Sequence, residues 1–155
     1  MDDLRERDGG RTSGDGAFGM GYPGDEALFA VALRFRERAY APYSRFPVGA
    51  AVWTDRGRIV GGCNVENGSF GLSICAERNA LSAAVAGRAG RPLVVAVAGP
   101  EGVFCPPCGA CRQFLAEFNP EATLILRKGG RLVRFSFDEI LPNRFAFEAG
   151  EESRR

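Results

Sequence analysis

Two short cysteine-bearing turns constrain the fold more than any other stretch: Cys75-Ala76-Glu77 and Cys108-Gly109-Ala110-Cys111. Each leads into a run that reads as a helix, so each can sit at a helix's first turn. Three thiols suffice to hold a zinc ion and leave its fourth position open, as a catalytic zinc site requires. Glu77, two residues beyond the first thiol, can carry protons for water at that open position. A fold that uses these residues together must bring two helix starts, distant in sequence, to one point.

Composition narrows what such a chain can be. Its 155 residues allow one domain with a real core and are too few for two ordinary ones. Hydrophobic residues make up 45% and charged residues 25%, the balance of a globular protein rather than a membrane or disordered one. No apolar run reaches membrane-spanning length, so no membrane partner is expected. The net charge of +1 gives no electrostatic footprint for nucleic acid, and none is expected as a partner. There is no histidine, which removes the commonest general base and metal ligand. Five cysteines, an odd number at short spacings, point to metal or catalysis before disulfides. The Met1 end begins with acids and lacks an apolar leader-type stretch, so a cytoplasmic location is expected.

Residues 1–24, rich in Gly, Asp, Arg and Ser, are expected to form a disordered tail, with Phe18, Met20 and Tyr22 as isolated large residues. From Asp25, Leu28, Ala32, Phe35 and Ala39 share one face of an amphipathic helix that Tyr40-Ala41-Pro42 ends. Residues 48–53 and 58–63 read as a hairpin of strands around Asp55-Arg56-Gly57, the first rich in small residues that let something pack closely. A loop over 64–73 precedes a helix over 75–85 that stops near Gly87. Residues 92–98 form an almost continuous apolar run, the mark of a central strand covered on both faces. A helix with Cys111, Phe114, Leu115 and Phe118 on one face follows, then strands over 123–126 and 132–137 and a short helix over 138–141. The order predicts a three-layer α/β/α sandwich around a mixed five-stranded sheet. The domain is expected to span 25–148, with a polar tail over 149–155.

Each cysteine also has a bland reading as a small buried hydrophobe. For Cys63, at a strand end, that reading is preferred. A closed four-cysteine zinc that includes Cys105 is the alternative to an open site of Cys75, Cys108 and Cys111. It would leave Glu77 without a task, and Cys105 lies before two prolines, away from the helix start. Three thiolates on a divalent ion leave a surplus negative charge. Unpaired N–H groups at two helix starts would offset it, and Arg78 could donate to thiolate sulfur.

These motifs together resemble the zinc-dependent cytidine deaminases, in the small homotetrameric branch where cysteine replaces histidine as first ligand. The likeness runs from Tyr40-Ala41-Pro42-Tyr43-Ser44-Arg45-Phe46 through Val48-Gly49-Ala50-Ala51 and Gly62-Cys63-Asn64-Val65-Glu66-Asn67 to Leu141-Pro142-Asn143-Arg144-Phe145. The resemblance implies one zinc per chain on Cys75, Cys108 and Cys111, and Glu77 as the proton carrier. It implies Asn64 and Glu66 as readers of ribose hydroxyls, Phe46 as a wall of the base pocket and Ala76 as a backbone contact to the base. Phe145 is similar to the family's aromatic that reaches a neighbouring subunit's site. Phe70 stands where the family often has tyrosine, which removes a hydroxyl from the expected subunit contact.

The activity so implied is hydrolysis of cytidine and 2′-deoxycytidine to their uridine counterparts and ammonia, a step of pyrimidine salvage. The rivals are a deaminase of an aminopyrimidine antibiotic such as blasticidin S and a zinc-stabilised binding module without turnover. The small-residue run over 80–86 and an outward Phe145 after Leu141-Pro142 accompany the expected tetramer.

Overall fold

The computed structural model describes residues 21–146. In chain order the elements are α1 (Asp25–Arg36), β1 (Gly49–Thr54), β2 (Ile59–Cys63), a 3-10 turn (Phe70–Leu72), α2 (Ala76–Ala86), β3 (Pro92–Ala98), α3 (Gly109–Phe118), β4 (Thr123–Lys128), β5 (Arg131–Phe135) and α4 (Phe137–Ile140). The sheet order is β2-β1-β3-β4-β5. The β3–β4 pair is parallel and the other neighbours are antiparallel, so the sheet is mixed, as the sequence predicts.

Alternation along the central strands divides the core in two. Ala51, Trp53, Val94, Ala96, Ala98 and Ile125 face α1, with its buried Leu28, Phe29 and Ala32. Ala50, Val52, Val95, Val97, Leu124 and Leu126 face the other way, against Ala76, Ala80, Leu81 and Ala84 of α2, Leu115 of α3 and Phe137 of α4. That two-residue period is what a strand buried on both faces requires. Glycine sets how closely the helices lie. A side chain at Gly62 would strike the backbone of Ala76 and Ala80, and one at Gly49 the backbone of Ala32 and Arg36.

The register fixes where the two cysteine turns go. Gly49 pairs with Cys63 on one side and Ala98 on the other, so β2 and β3 run parallel and end at the same edge. The helix that follows each strand therefore starts at that edge, the usual place for a site in an α/β sheet.

Several boundaries differ from the sequence reading. Helix α1 ends at Arg36 rather than carrying Ala39, because Arg38 and Ala39 bond back only three residues and tighten the last turn. Strand β5 stops at Phe135, since Ser136 and Glu139 form a capping box that starts α4 and puts Phe137 into the core. Of the expected N-terminal tail, residues 1–20 lie outside the described residues. Tyr22 is not an isolated side chain: its ring packs against Trp53 at 6.1 Å and its hydroxyl donates to Asp25 (2.6 Å). The expected tail over 149–155 also lies outside the described residues.

Asp25 ties α1 to the far strand, accepting two 2.7 Å bonds from Arg134 in β5. Burial opposes its charge, but the bonds from Arg134 and Tyr22 more than offset this and hold the carboxyl below the ordinary carboxylate value. Its contribution is therefore present above the unfolded value, about 4, and is lost as pH falls through the lower folded value. Asp25→Asn is expected to cost about 1 kcal/mol at pH 7, roughly 3 °C in Tm. Thermal melts across pH check this: the gap to the parent should close as pH falls below the ordinary carboxylate range, and a gap independent of pH would contradict the pairing.

Candidate active site

Cys75 and Cys108 are the N-caps of α2 and α3, both in extended conformation, and Cys111 lies in the first turn of α3. The four amide groups at each helix start have no intrahelical acceptor, so the positive end of each helix faces the thiols. The three sulfurs lie within 4.8 Å of one another, and Cys75 Sγ is 3.9 Å from Cys108 Sγ. Two sulfurs each about 2.3 Å from a tetrahedral zinc would stand about 3.8 Å apart, so the spacing fits that ion. Burial falls from Cys111, buried, through Cys75 to Cys108, exposed, leaving one side of the cluster open.

Charge is concentrated on one sulfur. The Cys75 thiol is lowered to about 5, chiefly by the Cys111 thiol that donates to it, against burial and with further help from Arg78 and Cys108. Cys111 is pushed up as the partner that keeps its proton for Cys75. A metal would displace these protons. Arg78 spans the rim of the cluster: its Nη2 lies 3.8 Å from Cys75 Sγ and donates to Ser73 O at 3.1 Å. The arginine expected to offset thiolate charge thus sits beside the thiolate.

Glu77 is 4% exposed, in the first turn of α2. Burial first, and then the negative charge of Cys75, raise its carboxyl above the ordinary value, with its own backbone amide and the Cys111 thiol working the other way. A carboxylate so placed holds a proton more readily than an exposed one, which suits general acid–base work near neutral pH.

The other two cysteines stand apart from this cluster. Cys105 is raised to about 11 by burial and then by the charges of Glu77 and Cys75, so it remains a thiol. Its Cβ packs where a side chain on Gly99 would go. Cys63 donates weakly to Arg38 O (3.4 Å). A cavity of about 540 Å³ lined by Phe29, Arg36, Gly99, Cys105 and Arg127 includes none of the three clustered thiols and not Glu77.

The residues expected to read a ribose are occupied within the chain. Asn64 accepts from Val48 N (2.8 Å) and donates to Phe46 O (3.0 Å). Glu66 accepts from Tyr43 N (2.9 Å), from Ser44 N (3.2 Å) and from the Ser44 hydroxyl. Together they clamp the segment that carries Phe46, whose ring lies against Gly99 at the end of β3 and is 37% exposed. The Asn64 amide keeps a second N–H and a second lone pair for another partner. Ala76 is fully buried at the start of α2. Phe145 stands out from the surface, 71% exposed.

Spacing alone gave no signal for Asn79, which donates to Cys63 O (2.8 Å) and ties α2 to the end of β2. The same holds for Arg112, whose Nε donates to Pro107 O (2.7 Å) and fixes the turn before Cys108. A polar residue one turn from a candidate ligand is the only hint such positions offer.

Residues 23–127 match the family model described as the cytidine and deoxycytidylate deaminase zinc-binding region. The chain is 40% identical over 125 residues to a cytidine deaminase of Halalkalibacterium halodurans, covering 79% of this chain and 95% of that one. It also matches the crystal structure of cytidine deaminase from Burkholderia pseudomallei, with TM-score 0.71 and 44% identity over 77% of this chain and 98% of that chain. Similarity to a blasticidin-S deaminase of Bacillus cereus is lower, 28% over 106 residues, 63% of this chain and 76% of that one. A mixed five-stranded sheet with helices on both faces, carrying three thiols that could hold zinc, accords with these matches. The chain belongs to the family of the cytidine and deoxycytidylate deaminase zinc-binding region.

Proposed function

We propose that the protein hydrolyses cytidine and 2′-deoxycytidine to uridine and 2′-deoxyuridine with release of ammonia, as a step of pyrimidine salvage. The observation that carries this reading is Glu77, a buried carboxyl with raised proton affinity beside three clustered thiols at two helix starts. Its relatives named cytidine deaminase support it, and the greater distance from the blasticidin-S deaminase favours a nucleoside over the antibiotic.

Cys75, Cys108 and Cys111 would hold one zinc per chain, which supplies a Lewis acid that lowers the pKa of water at its open position. The protein's own residues do the rest. Glu77 accepts a proton from the water that adds to C4 and delivers it to N3. It then carries the second water proton to the exocyclic nitrogen as the C4–N4 bond breaks and ammonia leaves. Arg78 and the two helix starts stabilise the thiolate charge. The Ala76 backbone and Phe46 hold the base, and the free capacity of Asn64 and Glu66 serves the sugar.

The catalytic unit is taken as 25–148, with Tyr22 packed against it from the segment before. We place the protein in the cytoplasm. Its five free thiols suit a reducing compartment, and among the described residues no helix is long and apolar enough to cross a membrane. It is read as a homotetramer. Tyr43, Val65, Phe70, Leu72 and Ile74 are exposed apolar residues brought together by the Tyr43–Phe70 ring contact and the Val65–Ile74 bridge. A patch of that kind is normally covered by a partner. The outward face of α2, with Ala83, Val85 and Ala86, would let helices approach closely. Phe145 would enter a neighbour's site and close it over the base.

Metal analysis and cytidine turnover of purified variants test the reading. Glu77→Gln should keep zinc and lose well over 100-fold in turnover, because glutamine cannot carry the proton. Cys75→Ala, Cys108→Ala and Cys111→Ala should lose both metal and activity, while Cys63→Ala and Cys105→Ala keep both. A Glu77→Gln protein retaining a tenth of the parent rate, a barrier change of only about 1.4 kcal/mol, would remove Glu77 from the proton path.

Subunit mixing tests the shared site. When Glu77→Gln chains exchange with Phe145→Ala chains, some sites regain an intact Glu77 and an intact Phe145. Activity should then rise above the sum of the two preparations. No rise after verified exchange, or a fully active monomer, would refute sharing.

A further inference from the structure

Beyond Leu141, which still packs against the core, residues 142–146 lead away from it, and helix α3 holds the chain on either side of this stretch from two adjacent positions. Arg112 donates from Nη1 to Ile140 O (2.6 Å) while its Nε holds Pro107 O, so one side chain joins the turn before Cys108 to the end of α4. Gln113, the next residue, donates from Nε2 to Phe145 O (2.9 Å). Between these anchors Asn143 turns the chain in the left-handed region (φ 54°), which asparagine tolerates better than most residues. Arg144 pairs with Asp138 at 3.0 Å. The outcome is a backbone held at Phe145 and a ring left 71% exposed.

An aromatic side chain offered to solvent from a tethered backbone is poised for a partner. Its ordering cost is met on folding, so binding gains what a loose chain end would lose. A single bond from α3 makes that tether, and the same helix bears Cys108 and Cys111 at its start. We propose that Gln113 is a positioning residue for substrate binding: its bond to the Phe145 carbonyl sets the angle at which Phe145 enters a neighbouring subunit's site. Through Gln113 the metal-bearing helix of one subunit governs the substrate contact in the next. This rests on the shared-site reading above.

Steady-state kinetics on the full-length, zinc-loaded protein test it, using Gln113→Met, Phe145→Ala and the double variant. Met keeps the length of the side chain and removes the donor. Gln113→Met should raise KM for cytidine about fivefold, the effect of losing one ordinary hydrogen bond, with kcat and zinc content unchanged. Phe145→Ala should raise KM further. In the Phe145→Ala background Gln113→Met should add nothing, because the ring it positions is gone. Gln113→Glu also lacks the donor and should show the same split, so the test does not hang on one variant folding. A structural role alone would lower Tm in both backgrounds and leave KM where it was. An unchanged KM in both Gln113 variants, or a full fivefold rise retained in the double variant, would overturn the proposal and leave the deaminase reading intact. An unchanged KM in Phe145→Ala would overturn this proposal together with the shared site, and a parent protein inert toward cytidine would remove the activity itself.

Discussion

Three thiols crowded within 4.8 Å make a cluster that repels itself once charged, and the structure is arranged around that difficulty. A divalent ion on three thiolates still leaves one negative charge. Two helix starts and the Arg78 guanidinium are set against it. Even as bare thiols the group shows the effect: Cys75 is lowered to about 5, and Cys111 keeps its proton to stabilise it. The same negative charge, added to burial, raises the proton affinity of Glu77. The cluster and its proton carrier are thus electrostatically coupled.

The sheet supplies the geometry this requires. Because β1 lies antiparallel between β2 and β3, the latter two run parallel and end level with each other, at Cys63 and Ala98. Each is followed by a ligand-bearing helix, so both helix starts meet at one edge. Gly62 lets α2 lie against β2 at backbone distance, and Asn79 locks it to the end of that strand. Arg112 does the corresponding work for the Cys108 turn. Ligands from distant parts of the sequence are held by short polar ties to strand ends and turns rather than by the apolar core alone.

Much of this was legible in the residues. The apolar run over 92–98 reads as the central strand because a strand covered on both faces needs no polar alternation, and β3 has those bounds. The cysteine turns are legible because zinc ligands and helix starts both leave local patterns. The partners of Asn64 and Glu66 were not. Val48 lies 16 residues from Asn64 and Ser44 lies 22 from Glu66, and only the fold brings them together. The end of α1 was misplaced because tightening of a last turn leaves no mark in hydrophobic spacing. The end of β5 was misplaced although its signal was present: Ser136 and Glu139 stand at the capping-box interval.

The open coordination position is the point on which the chemistry turns, since a fourth thiolate would leave no place for water. Cys105, half-buried, held as a thiol and outside the cluster of three, is the cysteine a closed site would have to recruit. X-ray absorption at the zinc edge of the purified protein examines this without reference to activity. Three sulfurs near 2.3 Å and one lighter atom near 2.0 Å are expected, roughly the distances of zinc ligands. A shell of four sulfurs would contradict it.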